Sequence, residues 1–393
     1  LRDPFHRSQL AIAALFCSLG FQYATWASRI PAIKADLDLS DAEVGVLLMA
    51  AGIGAAVSFP VVAVLMRRLG SQRLALLSAL CLALLLLALA GAPNYPVALL
   101  VMCVDGVLVG ALNVAMNAQG AELESRYERN AMARLHATFS GGSLLAALLA
   151  SGMNAVTSTV AVHFGAAAAF LLLLVAYART GLLAEKADAA NETAEAGEER
   201  QTVTPAKSKW TVPSSMTLWM CVAMAFGTVT EGAMNDWSAL YLKDVADASA
   251  ELAPLGIAVV SGMMVVARLF ADGWRSRWGD GRIVLSGSVL AGAGLALALL
   301  SGGLVPALLG FACVGLGIAA VTPCVYVAAA GQGSDSLTLV AAMGTTGLLA
   351  GPPLIGFIAH ASSLVWGLAA VAASALVVSA CSTRIRWPAT TSG

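Results

Sequence analysis

The chain has 393 residues, 59% of them hydrophobic and 11% charged, with a formal net charge of −1. An ordinary soluble domain is about 25% charged, so most of this chain cannot face water, and an integral membrane protein is expected instead of a string of soluble domains. A net charge this close to zero gives no argument for nucleic acid as a partner.

Twelve apolar runs are each long enough to cross roughly 30 Å of hydrocarbon as a helix. Helices are forced, because backbone groups must be satisfied within each segment. Span 1 covers 8–30; it lacks a small-residue cleavage site and reads as a span, not a cleavable signal peptide. Ser18, Gln22, Trp26 and Arg29 share one face of it, with Tyr23 adjacent. An amide beside aromatic rings suits a hydroxylated ligand, so Gln22 and Tyr23 are candidate substrate contacts. Trp26 is either a stacking platform or an interfacial anchor, and Arg29 a gate or headgroup contact. Ser40-Asp41-Ala42-Glu43 has a capping-box pattern and opens span 2, at 43–65. The turn Arg68-Leu69-Gly70-Ser71-Gln72-Arg73 leads into span 3, at 74–93.

Span 4 (97–121) carries Gly106, Gly110, Asn113 and Asn117 on one stripe, with Asp105 behind it. The glycines suit close helix packing. Asn113 and Asn117 are candidate solute contacts, Asn117 the more gate-like, and Asp105 is a candidate proton site. Span 5 (132–154) holds His136 one turn from the inner side, a gate residue whose charge can switch near neutral pH. Span 6 is 158–178. The acidic, polar segment 179–212 then reads as a flexible cytoplasmic linker. It separates an N-terminal bundle, 1–178, from a C-terminal bundle, 213–386, with a tail at 387–393.

Span 7 (215–241) places Gly227, Glu231, Asn235 and Ser238 on one polar stripe. Glu231 lies about 15 Å deep at 1.5 Å per residue. An ionised group at mid-bilayer costs roughly 2.5–3.5 kcal/mol on the mildest scale, so it needs a reason. Proton coupling or solute contact supplies one; a hydrogen-bonded structural carboxyl is the other. Asn235 is a candidate solute contact. Asp236, about 140° round the helix, caps or pairs at the outer end. Span 8 (253–274) holds Arg268 and Asp272 four residues apart, an ion pair or gate near the inner surface. After it the motif R-x-G-x-x-R returns as Arg277-Trp278-Gly279-Asp280-Gly281-Arg282, 209 positions beyond the first copy. Spans 9 and 10 are 282–301 and 304–330; Tyr326 follows Pro323, where a kink would expose it to a cavity. Span 11 (337–360) contains Gly351-Pro352-Pro353, a bend that is either a hinge or static, and span 12 is 363–382. The seven cysteines lie in or beside apolar runs without metal-ligand spacing and read as small buried side chains.

Lys and Arg set the orientation. With both termini cytoplasmic, eighteen fall on the inner side, only Arg29, Lys34 and Lys243 on the outer, and Arg268 within a span. Trp210, Trp219, Trp274, Trp278 and Trp387 near inner ends, and Trp26, Trp237 and Trp366 near outer ends, agree as interfacial anchors. The duplicated turn, with Trp26-Ala27-Ser28 echoed by Trp237-Ser238-Ala239, makes the chain two parallel six-helix repeats. A substrate site is expected between such copies.

On these features the chain resembles the major facilitator superfamily. That family's 2–3 loop carries G-x-x-x-D-R-x-G-R-R or similar; Arg68 and Gly70, then Arg277 and Gly279, match it. Arg67 and Ser276 stand where the family has Asp, so the resemblance implies gate roles for Arg68 and Arg277 with the usual acidic lock missing, and Asp272 is a candidate substitute. A narrower resemblance is to the bacterial MosC-like branch, linked to rhizopine uptake and near the fucose- and glucose-permease-type sugar transporters. It rests on Trp26-Ala27-Ser28-Arg29-Ile30-Pro31-Ala32-Ile33, Ala115-Met116-Asn117-Ala118-Gln119, Glu231-Gly232-Ala233-Met234-Asn235-Asp236-Trp237 and Gly351-Pro352-Pro353-Leu354-Ile355-Gly356. It implies an all-α fold of twelve transmembrane helices in two pseudo-symmetric bundles. It also implies a secondary transporter of a small polar solute. The expected setting is the bacterial inner membrane, with a monomer using protons as co-substrate and neither metal nor other cofactor. Efflux of drugs or metabolites, or a transporter-like sensor, are the competing readings. No Walker motif, H-E-x-x-H or G-x-S-x-G is present, so nucleotide hydrolysis and an intramembrane enzyme are not expected.

Overall fold

A computed structural model describes residues 3–129, 131–183 and 213–387. The acidic linker expected at 179–212 therefore lies, from residue 184 on, outside the described residues, as does most of the tail. The first half comprises α1 (Pro4–Ala27), α2 (Ile30–Asp36), α3 (Asp41–Ala90), α4 (Tyr95–Tyr127), α5 (Met132–Val156) and α6 (Val160–Ala178). The second comprises α7 (Ser215–Asp244), α8 (Leu255–Trp278), α9 (Asp280–Ser301), α10 (Leu304–Ile318), α11 (Val321–Ala330), α12 (Ser334–Ala361) and α13 (Leu364–Ser382).

These are the twelve expected crossings with two differences of detail. Expected spans 2 and 3 run on as α3, with non-helical backbone at Gly70. Expected span 10 is broken into α10 and α11 around Ala319 and Ala320. Pro323 explains the break, since its ring clashes with the carbonyl four residues back, which is that of Ala319. By contrast α12 continues through Pro352 and Pro353. The capping box at Ser40 and Glu43 forms as expected. Among the described residues, ten stretches are long and apolar enough to cross a membrane. The two crossings outside that set are α7 and α8, the helices that carry Glu231 and Arg268.

Both copies of the repeated turn have one backbone conformation. Gly70 has φ 74 and ψ 164; Gly279 has φ 80 and ψ 152. That region is essentially restricted to glycine. Gly70→Ala and Gly279→Ala should each cost about 1–3 kcal/mol and lower the apparent melting temperature of the purified protein. Gly273→Ala, in α8 with open space around its Cβ position, should not; equal losses at all three would reject the turn argument. In the second turn the Arg275 Nε and Nη2 donate to the Asp280 Oδ1 and Oδ2 at 2.8 and 3.1 Å. The acid of this loop thus follows the glycine instead of preceding it. The Asp272 side chain lies outside the described residues.

The halves meet along α3–α12 and α5–α8. A Cβ on Gly356 would stand 2.6 Å from the Asp41 carbonyl oxygen and 2.9 Å from the Gly45 Cα, so backbones touch there. The end of the bundle that carries Lys34 is closed. The Lys34 ammonium bridges Asp41 at 2.7 Å and, across the halves, Asp244 at 2.8 Å. Burial lowers its pKa, but the bonds from Asp244 and Asp41 outweigh that and hold it above its ordinary value. An apolar cluster at this end joins Phe21, Trp26, Val44 and Leu47 to Met234, Trp237 and Tyr241. Towards the Arg68 end the first half has its own core of Phe5, Ile12, Val62, Leu74, Leu123 and Leu135, which includes no residue of the second half. Hydrogen bonds join the halves at Lys34–Asp244, Asn154–Ala250 and Ser151–Glu251 towards the Lys34 end and at Arg268–Ser140 deeper in the bundle.

Candidate functional site

A cavity of about 400 Å³ lies between the halves at mid-depth, within the usual range for small-molecule sites. The first half contributes Leu19 and Tyr23 of α1, Val109 of α4, and Phe139, Ser140 and Ser143 of α5. The second contributes Thr228, Glu231 and Asn235 of α7, Ser261, Met264 and Arg268 of α8, Thr322 and Tyr326 of α11, and Thr345 and Leu348 of α12. The lining is apolar with a few converging polar groups.

Its charged centre is a pair. The Arg268 Nη2 donates to the Glu231 Oε1 at 3.2 Å, and each side chain is 26% exposed. The Arg268 Nη1 donates to the Ser140 hydroxyl of the other half. Asn235 donates to the Glu231 backbone carbonyl at 3.0 Å, which fixes its amide one turn from the carboxylate. On the closed side the Tyr23 hydroxyl donates to Asp236, a second tie between halves. The arrangement offers a solute a guanidinium fork, a carboxylate, an amide and several hydroxyls.

Arg268, expected as an ion pair with Asp272 or a gate near the inner surface, reaches Glu231 in the cavity, while the Asp272 side chain lies outside the described residues. Helical side chains lean towards the helix N-terminus. In α8 that direction runs back towards the Lys34 end and mid-bilayer, which brings the guanidinium to Glu231. Gln22 also departs from expectation. It is buried inside the first half, and its Nε2 donates to the Asp105 Oδ1 at 2.7 Å. The cavity face of α1 is Leu19–Tyr23, one residue round from the predicted stripe. Asp105 therefore sits in a buried pair away from the cavity. Trp26 packs among Ile30, Ile33, Leu39 and Met102 near Lys34. Arg29 turns to α6 and donates to the His163 Nδ1 at 3.0 Å, so it does not tie the halves together directly, and His163 is not incidental.

Asn113 and Asn117 continue the line of Val109 at four-residue spacing towards the Arg68 end, the Asn117 Nδ2 donating to the Asn113 Oδ1 at 3.0 Å. They lie on the approach to the cavity and outside its lining. His136 lies one turn from Ser140 on the same side, its ring edge-on to Phe16 at 5.0 Å. Arg68 is exposed, and Arg277 is exposed over the Trp278 ring at 5.9 Å. Tyr23, Asn235, Tyr326, Glu231 and Arg268 are thus the predicted residues brought together. Ser140, Ser143, Ser261, Thr228, Thr322 and Thr345 were not singled out. Hydroxyls in membrane helices commonly bond their own backbone, so sequence gives them no signal.

Residues 10–336 match the Major Facilitator Superfamily. The chain is 31% identical over 390 residues to an uncharacterized MFS-type transporter of Yersinia pestis, covering 96% of each chain. It is 30% identical over 377 residues to the membrane protein MosC of Rhizobium meliloti, covering 95% of this chain and 88% of that one. Its fold is similar to that of the nucleoside transporter NupG, with TM-score 0.70 and 14% identity over 97% and 98% of the two chains. It is also similar to a bacterial homologue of the human lysosomal transporter Spinster, solved in an inward-facing and occupied conformation, with TM-score 0.69, 14% identity and 99% and 100% coverage.

Proposed function

The chain belongs to the Major Facilitator Superfamily, in its MosC-like branch, and we propose that it carries a small, hydroxyl-rich polar solute, sugar-like in chemistry, together with a proton. It is a multi-pass membrane transporter, not an enzyme. The observation that carries the finer reading is the Glu231–Arg268 pair in a cavity built from both halves. With Glu231 ionised, its carboxylate engages one arm of the guanidinium. A proton on Glu231 weakens that hold and frees the arm for solute oxygens, with Asn235, Tyr326 and Ser140 completing the contacts. Rocking of the halves then breaks Tyr23–Asp236 and Lys34–Asp244 and closes the Arg68 end. The excess of Lys and Arg at the Arg68 end supports placing that end, and both termini, in the cytoplasm of a bacterial inner membrane. In that orientation the conformation described is inward-facing, as is the state named for the Spinster homologue.

The test is a thermal-shift screen of sugars, inositols and amino sugars on the purified protein, wild type beside Arg268→Gln. A polyol that stabilises the wild type and loses its effect in the variant is expected. Stabilisation by apolar drugs alone would support efflux and reject this reading.

A further inference from the structure

A basic corner surrounds the second copy of the repeated turn, away from the central cavity. Arg277 at the end of α8, Arg282 in the first turn of α9, and Arg384 and Arg386 after α13 are all exposed. Trp387 brings the last two there, because its ring packs on Gly281 so closely that a Cβ would not fit. The Trp387 Nε1 donates to the Ser382 carbonyl at 3.0 Å, and the Ser382 hydroxyl donates to the Gly281 carbonyl at 3.3 Å. Asp280, the acid of the turn, is already held by Arg275. Among the described residues, none of the four arginines makes an ion pair.

Two apolar grooves begin beside this corner, on the lipid-facing wall of the second half. The larger, of about 770 Å³, follows α9 from Arg282 past Val289 to Leu297, against Cys313 of α10. That is a run of about 22 Å at 1.5 Å per residue, longer than the roughly 15 Å of hydrocarbon in one leaflet. The smaller, of about 250 Å³, lies between α8, α9 and α10 and is walled by Trp274, Trp278 and Leu316. The grooves share Ser286 and Leu290 of α9, so they run side by side. Trp274 and Trp278 stack at 6.3 Å, and such rings sit at the level of the lipid headgroups. The arginines thus stand where phosphates lie, and the grooves where acyl chains lie.

We infer that this surface is a binding site for one anionic, two-chain phospholipid, of which phosphatidylglycerol is the simplest case. The phosphate lies among the arginines, whose guanidinium forks match its oxygens two at a time, and one chain lies in each groove. A zwitterionic headgroup fits poorly, since its ammonium would add a fifth positive charge to the corner. The site is separate from the central cavity and needs neither the solute nor Glu231.

The experiment is native mass spectrometry of the purified full chain in detergent, titrated with phosphatidylglycerol or with phosphatidylcholine of the same chains. One phosphatidylglycerol per chain should be retained at concentrations where phosphatidylcholine is not. An arginine near a membrane surface contributes about a fivefold factor. Arg282→Gln should therefore weaken phosphatidylglycerol about fivefold, and Arg282→Gln combined with Arg386→Gln about twenty-five-fold. Arg73→Gln, exposed at the first turn, should leave the affinity unchanged. Leu290→Trp fills the space at the shared wall and should weaken binding without altering the charge. Equal retention of the two lipids, or equal losses in Arg282→Gln and Arg73→Gln, would mean that the basic surface attracts lipid without a site. Unimpaired binding to Leu290→Trp would take the chains out of the grooves, and a dimer that retains no lipid would mean that a second copy covers this face.

Discussion

Glu231→Gln is expected to abolish uphill accumulation of solute in proteoliposomes while leaving solute exchange partly intact. For one proton per solute, a gradient of one pH unit is worth about 1.4 kcal/mol, or about tenfold accumulation. The amide cannot take up and release the proton, so the accumulation ratio should fall from about tenfold to unity, whatever the rate. Exchange survives because an amide still accepts from the Arg268 Nη2 and the cavity keeps its shape. Undiminished accumulation in this variant would remove Glu231 from the coupling step. Asp105, buried against Gln22, would then be the carboxyl to test next.

Arg268→Gln is expected to lose solute binding itself. A hydrogen bond to a charged group is worth about 1.5–3 kcal/mol, so Kd should weaken roughly ten- to a hundredfold. The variant also removes the bond to Ser140 and with it one tie between the halves. Arg268→Lys separates the effects. It keeps the charge beside Glu231 but not the planar fork, so it should bind better than Arg268→Gln and worse than the wild type. A Kd unchanged in both variants, measured by calorimetry with the best solute from the screen, would place the binding site elsewhere.

Much of the architecture was legible in the sequence. Apolar run lengths, the distribution of Lys and Arg and the duplicated turn led to twelve crossings in two bundles, and Gly70 and Gly279 adopt one conformation. Glu231, Asn235, Tyr23 and Tyr326 stood out because polar groups inside a membrane need a reason. What sequence could not fix was the rotation of each helix within its bundle. In a soluble helix one apolar face points to the core, but here lipid and core are both apolar. The face of α1 was therefore misjudged by one residue, with Gln22 facing Asp105 and Tyr23 facing the cavity. The Arg268–Glu231 pair was not legible, because helical spacing reveals partners on the same helix and not those on another. The Arg29–His163 bond, between residues 134 positions apart, was hidden for the same reason.

The most direct measurement is counterflow. Proteoliposomes loaded with the stabilising polyol and diluted into its labelled form should take up label transiently with the wild type and Glu231→Gln, and not with Arg268→Gln. Binding of the polyol without counterflow in the wild type, or counterflow undiminished in Arg268→Gln, would contradict carriage of a polar solute through the Glu231–Arg268 cavity.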